Sequence, residues 1–221
     1  MHRKYGRARA RQRTIDVVVR EVGGLKQFWW LILFVALSAA ASIVALKVNA
    51  ANTPTALRCG GALWPLKTFS DLQRKTVNLS PDATTIGAIL ERRGPNVAPT
   101  RRRTAFQRQN WEVVAQVVSF RLRGNEVQLD LFDHGKYMHA LLPSPSCLSS
   151  RTRARAAIVA ARHEFTSRCG DPTGDPQSLG AVGYVTGVGF WNGHSTDRGA
   201  APNGAELHPV TGFRSLVGCR S

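Results

Sequence analysis

The sequence predicts a mainly β (α+β) fold: a single N-terminal transmembrane helix, then an OB-like five-stranded barrel with one helix between strands 3 and 4. Three observations carry this. Residues 28–46 form an uncharged apolar run. A long β-prone run from Trp111 switches its apolar parity part-way. One amphipathic helical stripe lies between three strand-like segments and two more.

The apolar run, FWWLILFVALSAAASIVAL, spans about 28 Å as a helix, close to the ~30 Å hydrocarbon core of a bilayer. Residues 1–27 form a basic arm, with eight Lys or Arg against Asp16 and Glu21. Positive flanks stay in the cytoplasm, so the arm is expected inside and everything after Lys47 outside. Residues 28–48 are read as a retained signal anchor, because a cleaved signal peptide carries a shorter apolar core. Val48-Asn49-Ala50 keeps the alternative open: cleavage after Ala50 would release the same C-terminal portion as a secreted protein.

All four cysteines follow the apolar run, as expected for an oxidising compartment, and two disulfides follow. Three pairings are open, and Cys147–Cys169 with Cys59–Cys219 is the one expected. The net charge of +16 invites a nucleic-acid reading, but the charge is unevenly spread. Residues 58–110 carry ten basic against three acidic residues, while residues 111–221 carry eleven against nine. A folded domain that grips phosphodiester backbones concentrates its positive charge, so nucleic acid is not the expected partner of this one. The membrane, and through it an envelope polymer or another envelope protein, is.

Residues 49–110 read as an exported linker and docking segment. Trp64, Leu66, Phe69 and Leu72 supply apolar bulk, and 92–110, with two prolines and six arginines, reads as an extended connection. Residues 111–221 read as the barrel. Val113, Ala115 and Val117 share one parity and Val118, Phe120 and Leu122 the other, as a β-bulge produces. Turns at 123–125 and 133–136 separate a second strand (Val127, Leu129, Leu131) and a third (137–142). Ala154, Ala157, Ile158, Ala161 and Phe165 form the helical stripe. Strand four covers 182–191, with Gly183, Gly187 and Gly189 on one parity, and strand five covers 205–214.

Four stretches carry a resemblance. WPLKTFSD (64–71), TVNLSPDATTIGAI (76–89), VTGVGFW (185–191) and RGAAPNGAELHPV (198–210) resemble an uncharacterised group of bacterial exported proteins sharing a WPxKT…D start and a VTGVGF…APNGxELHPV end. The resemblance implies an exported small β domain and no particular activity.

Two site readings compete. As a binding module, the barrel would present Tyr137 and His139 on strand three, with Trp191, His194 and Asp197 around the loop after strand four. As a metal-dependent extracytoplasmic hydrolase of the nuclease or phosphodiesterase kind, it would use His194, Asp197, Glu206 and His208; Glu206 and His208, two apart on a strand, share a face. No serine stands in a nucleophile motif, and GVGFWNG precedes no helix and is not a dinucleotide fingerprint. Binding without a cofactor is the preferred reading.

Overall fold

A computed structural model describes residues 59–219. The 28–46 run, the basic arm and the Ala50 junction lie outside the described residues. Among the described residues, no helix is long and apolar enough to cross a membrane.

The order is α1 (Trp64–Lys67), β1 (Asn78–Thr84), α2 (Ile86–Leu90), β2 (Gln109–Arg123), β3 (Glu126–Asp133), β4 (Lys136–Pro143), α3 (Arg155–Cys169), β5 (Gln177–Trp191) and β6 (Ala205–Val217). The sheet runs β1-β2-β3-β4-β6-β5, and β5 also pairs with β2. Strands β2, β3, β4, β6 and β5 therefore close a ring, with β1 added parallel to β2 on its outside. The fold is β-rich with six strands, one more than expected.

Alternation fills the ring. Val113, Ala115, Val117, Val127, Leu129, Leu131, Met138, Ala140 and Leu142 point inward and are buried. The predicted parity switch is a register break between Val117 and Ser119, present against both β3 and β5. It bends β2 so that one strand serves both sides of the ring. Helix α3 buries Ile158, Ala161 and Phe165. Phe165 meets Phe120 and Phe213 edge-on at 5.1 and 5.2 Å. Ala157 of the predicted stripe is exposed, so the buried face is narrower than the sequence pattern. Toward the other end of β2, Phe106 packs against Trp111 and Trp191, and α2 adds Ile86 and Ile89 to the same core. Thr85 caps α2, its hydroxyl accepting from the Ala88 amide at 3.1 Å.

Residues 59–110 are not a linker: they belong to the same compact unit as the ring. Phe69 and Val77 join Leu148, Ile158 and Val188 in a second apolar cluster outside the ring. Leu72, expected to dock, is exposed. Strand β1 escaped the sequence reading because NLSPDAT lies on the sheet edge, mostly exposed, and has no alternation to detect. Arg102, inside the supposed extended connection, is fully buried.

The disulfides also differ from the expected pairing of Cys147–Cys169 and Cys59–Cys219. Cys59 bonds Cys147, and Cys169 bonds Cys219. Cys169 ends α3 and Cys219 follows β6, so this bridge ties the helix to the strand it covers. Their sequence separations are 88 and 50 residues. Loop-closure arithmetic gives each about 2–5 kcal/mol. Reducing the folded protein should lower its urea midpoint accordingly. An unchanged midpoint would show that neither bridge constrains the unfolded chain.

Candidate functional site

Strand β3 turns Glu126, Gln128 and Asp130 to its outer face, since the alternate residues fill the core. His139 on β4 stands opposite Asp130, and Glu206 on β6 stands opposite His139. The outer face of β3, β4 and β6 thus carries a polar belt, buried beneath other parts of the chain.

At one end, His208 Nε2 donates to Glu126 Oε1 at 2.5 Å. His208 is fully buried, 5.5 Å from the Phe190 ring. Burial alone would lower its pKa, but the Glu126 charge and the hydrogen bonds to Glu126 and Glu206 together raise it. Burial likewise opposes ionisation of Glu126, but His208, with Lys67 and Arg162 behind it, lowers the pKa on balance. Both shifts favour the charged forms, an imidazolium against a carboxylate. Glu206 accepts from Asn192 Nδ2 at 2.8 Å, and its other oxygen lies 3.7 Å from His208 Nδ1.

At the other end, loop 192–204 folds over the belt. The Arg198 carbonyl lies 3.1 Å from His139 Nε2, which must donate because a carbonyl only accepts. Gly199 has φ +83°, and a Cβ there would sit 3.1 Å from His139 Nε2, so the close approach requires glycine. Asp197 Oδ2 accepts from Arg123 Nη1 at 2.8 Å. That hydrogen bond and the guanidinium charge hold its carboxyl below the usual range.

The four residues of the metal reading are therefore not brought together. His194 donates Nδ1–H to the Pro202 carbonyl at 2.8 Å, Asp197 pairs with Arg123, and His208 is committed to Glu126. Glu206 and His208 do share a face, but it is covered. Among the described residues, no group of three or more His, Cys, Asp or Glu is disposed to hold a metal ion.

The binding set divides as well. Trp191 is a core residue whose Nε1 donates to Thr104 Oγ1 at 2.9 Å. His139 is buried beneath the loop. Tyr137 is 43% exposed, its ring 4.9 Å from Phe132. It borders a cleft of about 340 Å³ on the outside of β2, β3 and β4, together with Ser119, Arg121, Asp130, Ser178 and Arg198. Ser119 Oγ donates to Asp130 Oδ2 at 2.5 Å, and Gln128 Nε2 donates to Asp130 Oδ1 at 2.9 Å. Ser119 thus spends its proton on a carboxylate while His139 faces a carbonyl, which is not a nucleophile–base arrangement. Ser119, Arg121, Asp130 and Arg198 were missed as site residues. The one signal for Asp130 was its shared parity with Glu126 and Gln128; the others are assembled by loop placement.

No protein-family model matches the chain, and no curated protein matches it. A solved chain assigned as an aspartyl-tRNA synthetase from Leishmania major is similar at 12% identity and a TM-score of 0.38, over 64% of this chain and 22% of that one. A similarity this slight has no bearing on function.

Proposed function

We propose that this chain is a membrane-anchored extracytoplasmic binding module with an OB-like barrel, taking an envelope polysaccharide in the Tyr137 cleft. The observation that carries this is the cleft itself: a half-exposed aromatic ring beside a carboxylate, two guanidinium groups and two hydroxyls. An aromatic face with converging donors and acceptors suits a sugar ring, which offers an apolar C–H face and hydroxyl edges. The ring order β2-β3-β4-β6-β5, with α3 between β4 and β5 along the chain, supports an OB-like reading, and ligands of that architecture lie on the face of its second and third strands. Those are β3 and β4 here.

The disulfides fit an oxidising compartment outside the cytoplasm. Residues 28–46 serve as the anchor, with the basic arm inside, in keeping with the likeness to exported bacterial proteins. Binding, rather than catalysis, is the role supported by the hydrogen bonds of Ser119 and His139.

The test is a titration of the full chain, in neutral detergent micelles, with envelope-derived oligosaccharides of two to six sugars. At least one should bind saturably, and Tyr137→Ala should weaken it about tenfold, or ~1.4 kcal/mol. If Tyr137→Ala leaves the affinity of every bound oligosaccharide unchanged, the cleft is not the site.

A further inference from the structure

A second concavity lies on the far side of loop 192–204, between that loop, the end of α2, residues 92–96 and the start of β4. It measures about 710 Å³. Arg92, Arg93 and Lys136 stand in its wall with His194, and none of the wall residues is acidic. Cations gathered in one wall repel one another, and an anion relieves that repulsion.

The wall is built rather than incidental. The Arg92 guanidinium carbon lies 4.5 Å from the Trp111 ring centroid, a cation–π contact that tethers it. Its Nε is buried and makes no hydrogen bond within the protein. Asn203 Nδ2 reaches the carbonyls of Ile89, Leu90 and Arg92 at 3.0, 3.2 and 3.0 Å. Those carbonyls would otherwise turn the negative end of α2 toward an incoming anion. A Cβ at Gly94 would overlap the Asn203 carbonyl, so the 92–96 segment rests directly on the loop that carries His194.

We infer that this concavity is an anion site for a phosphoryl group carried on a larger molecule, a phosphate mono- or diester of glycerol or a sugar. Guanidinium forks match the several oxygens of a phosphate, and the lysine adds a point charge. The volume exceeds what the anion alone needs. The site uses residues other than those of the Tyr137 cleft, so either can fail alone.

The experiment titrates the full chain in neutral detergent micelles with glycerol 1-phosphate, followed by tryptophan fluorescence, since Trp111 lies under Arg92. Saturable binding is expected. Arg93→Gln with Lys136→Gln, both exposed residues, should weaken it at least about tenfold. Arg151→Gln with Arg155→Gln removes the same charge from exposed positions elsewhere and should leave it within about twofold. A second arm replaces the probe with phosphatidylglycerol in the micelles. Tighter binding there assigns the phosphoryl group to a lipid headgroup, and equal or weaker binding assigns it to a soluble ester; both keep the site. A response that does not saturate, or equal loss in the two double variants, overturns the inference.

Discussion

Replacing Arg102 with Met should destabilise the full chain by about 3–5 kcal/mol, the range for breaking one side of a buried ion pair. Arg102 is fully buried and stitches the N-terminal segment to the barrel. Its Nε and Nη2 donate to Asp71 Oδ2 at 3.1 and 2.9 Å. Nη2 also reaches the Leu66 carbonyl and Nη1 the Gln107 carbonyl, each at 3.0 Å. The guanidinium lies 5.1 Å from the Phe69 ring, and its backbone amide donates to Gln73 Oε1 at 2.7 Å. Burial lowers the guanidinium's pKa, and Asp71 offsets only part of that. Truncation strands Asp71 and two carbonyls. A compensating Asp71→Leu in the same chain should therefore recover part of the loss, because an apolar pair leaves less unpaired. Urea unfolding of wild type, both single variants and the double variant measures this. Additive losses, or a single-variant loss under about 1 kcal/mol, would mean that the guanidinium network does not hold the segment down.

The His208–Glu126 pair should make stability depend on pH from both sides. His208 has its pKa raised from 6.5, so its contribution is complete below 6.5 and is lost as pH rises through the folded value. Glu126 has its pKa lowered from 4.5, so its contribution is complete above 4.5 and is lost as pH falls through the folded value. Both are therefore fully present between 4.5 and 6.5. Lys67 and Glu206 face the imidazole and modify its charge in opposite senses, Lys67 opposing it and Glu206 supporting it. His208→Gln should cost about 3–5 kcal/mol near pH 6, since it leaves the Glu126 carboxylate buried beside a neutral group. It should also flatten the alkaline decline seen in wild type. Urea midpoints at about pH 6 and about pH 9 decide. An alkaline decline of the same size in the variant would assign it to other groups.

Much of the ring was legible because alternation in a strand is a local signal. Val127, Leu129 and Leu131 face inward because a pleated strand must choose one face for the core, and the parity switch after Val117 marks the bend of β2 without any partner in view. Helix α3 was legible for the same reason, although its buried stripe narrows to Ile158, Ala161 and Phe165. Strand β1 had no such signal. The role of Arg102 had none either, since an arginine in RRR reads as solvated until Asp71, thirty-one residues away, is brought beside it.

The site was less legible than the fold. Glu206 and His208 do share a face, as their spacing requires, but spacing cannot say what covers that face. Loop 192–204 and the N-terminal segment cover it, which turned His139 and His208 from ligand candidates into buried fasteners.

From its sequence alone this chain already specified the five strands of its ring, helix α3, the inward residues of the ring and the apolar run at 28–46, because hydrophobic periodicity is written within each element. The disulfide partners, the burial of Arg102, the separation of His194 and Asp197 from His208, and the two concavities flanking loop 192–204 were decided by the tertiary fold. Each depends on residues far apart in the chain that meet only once the ring has closed.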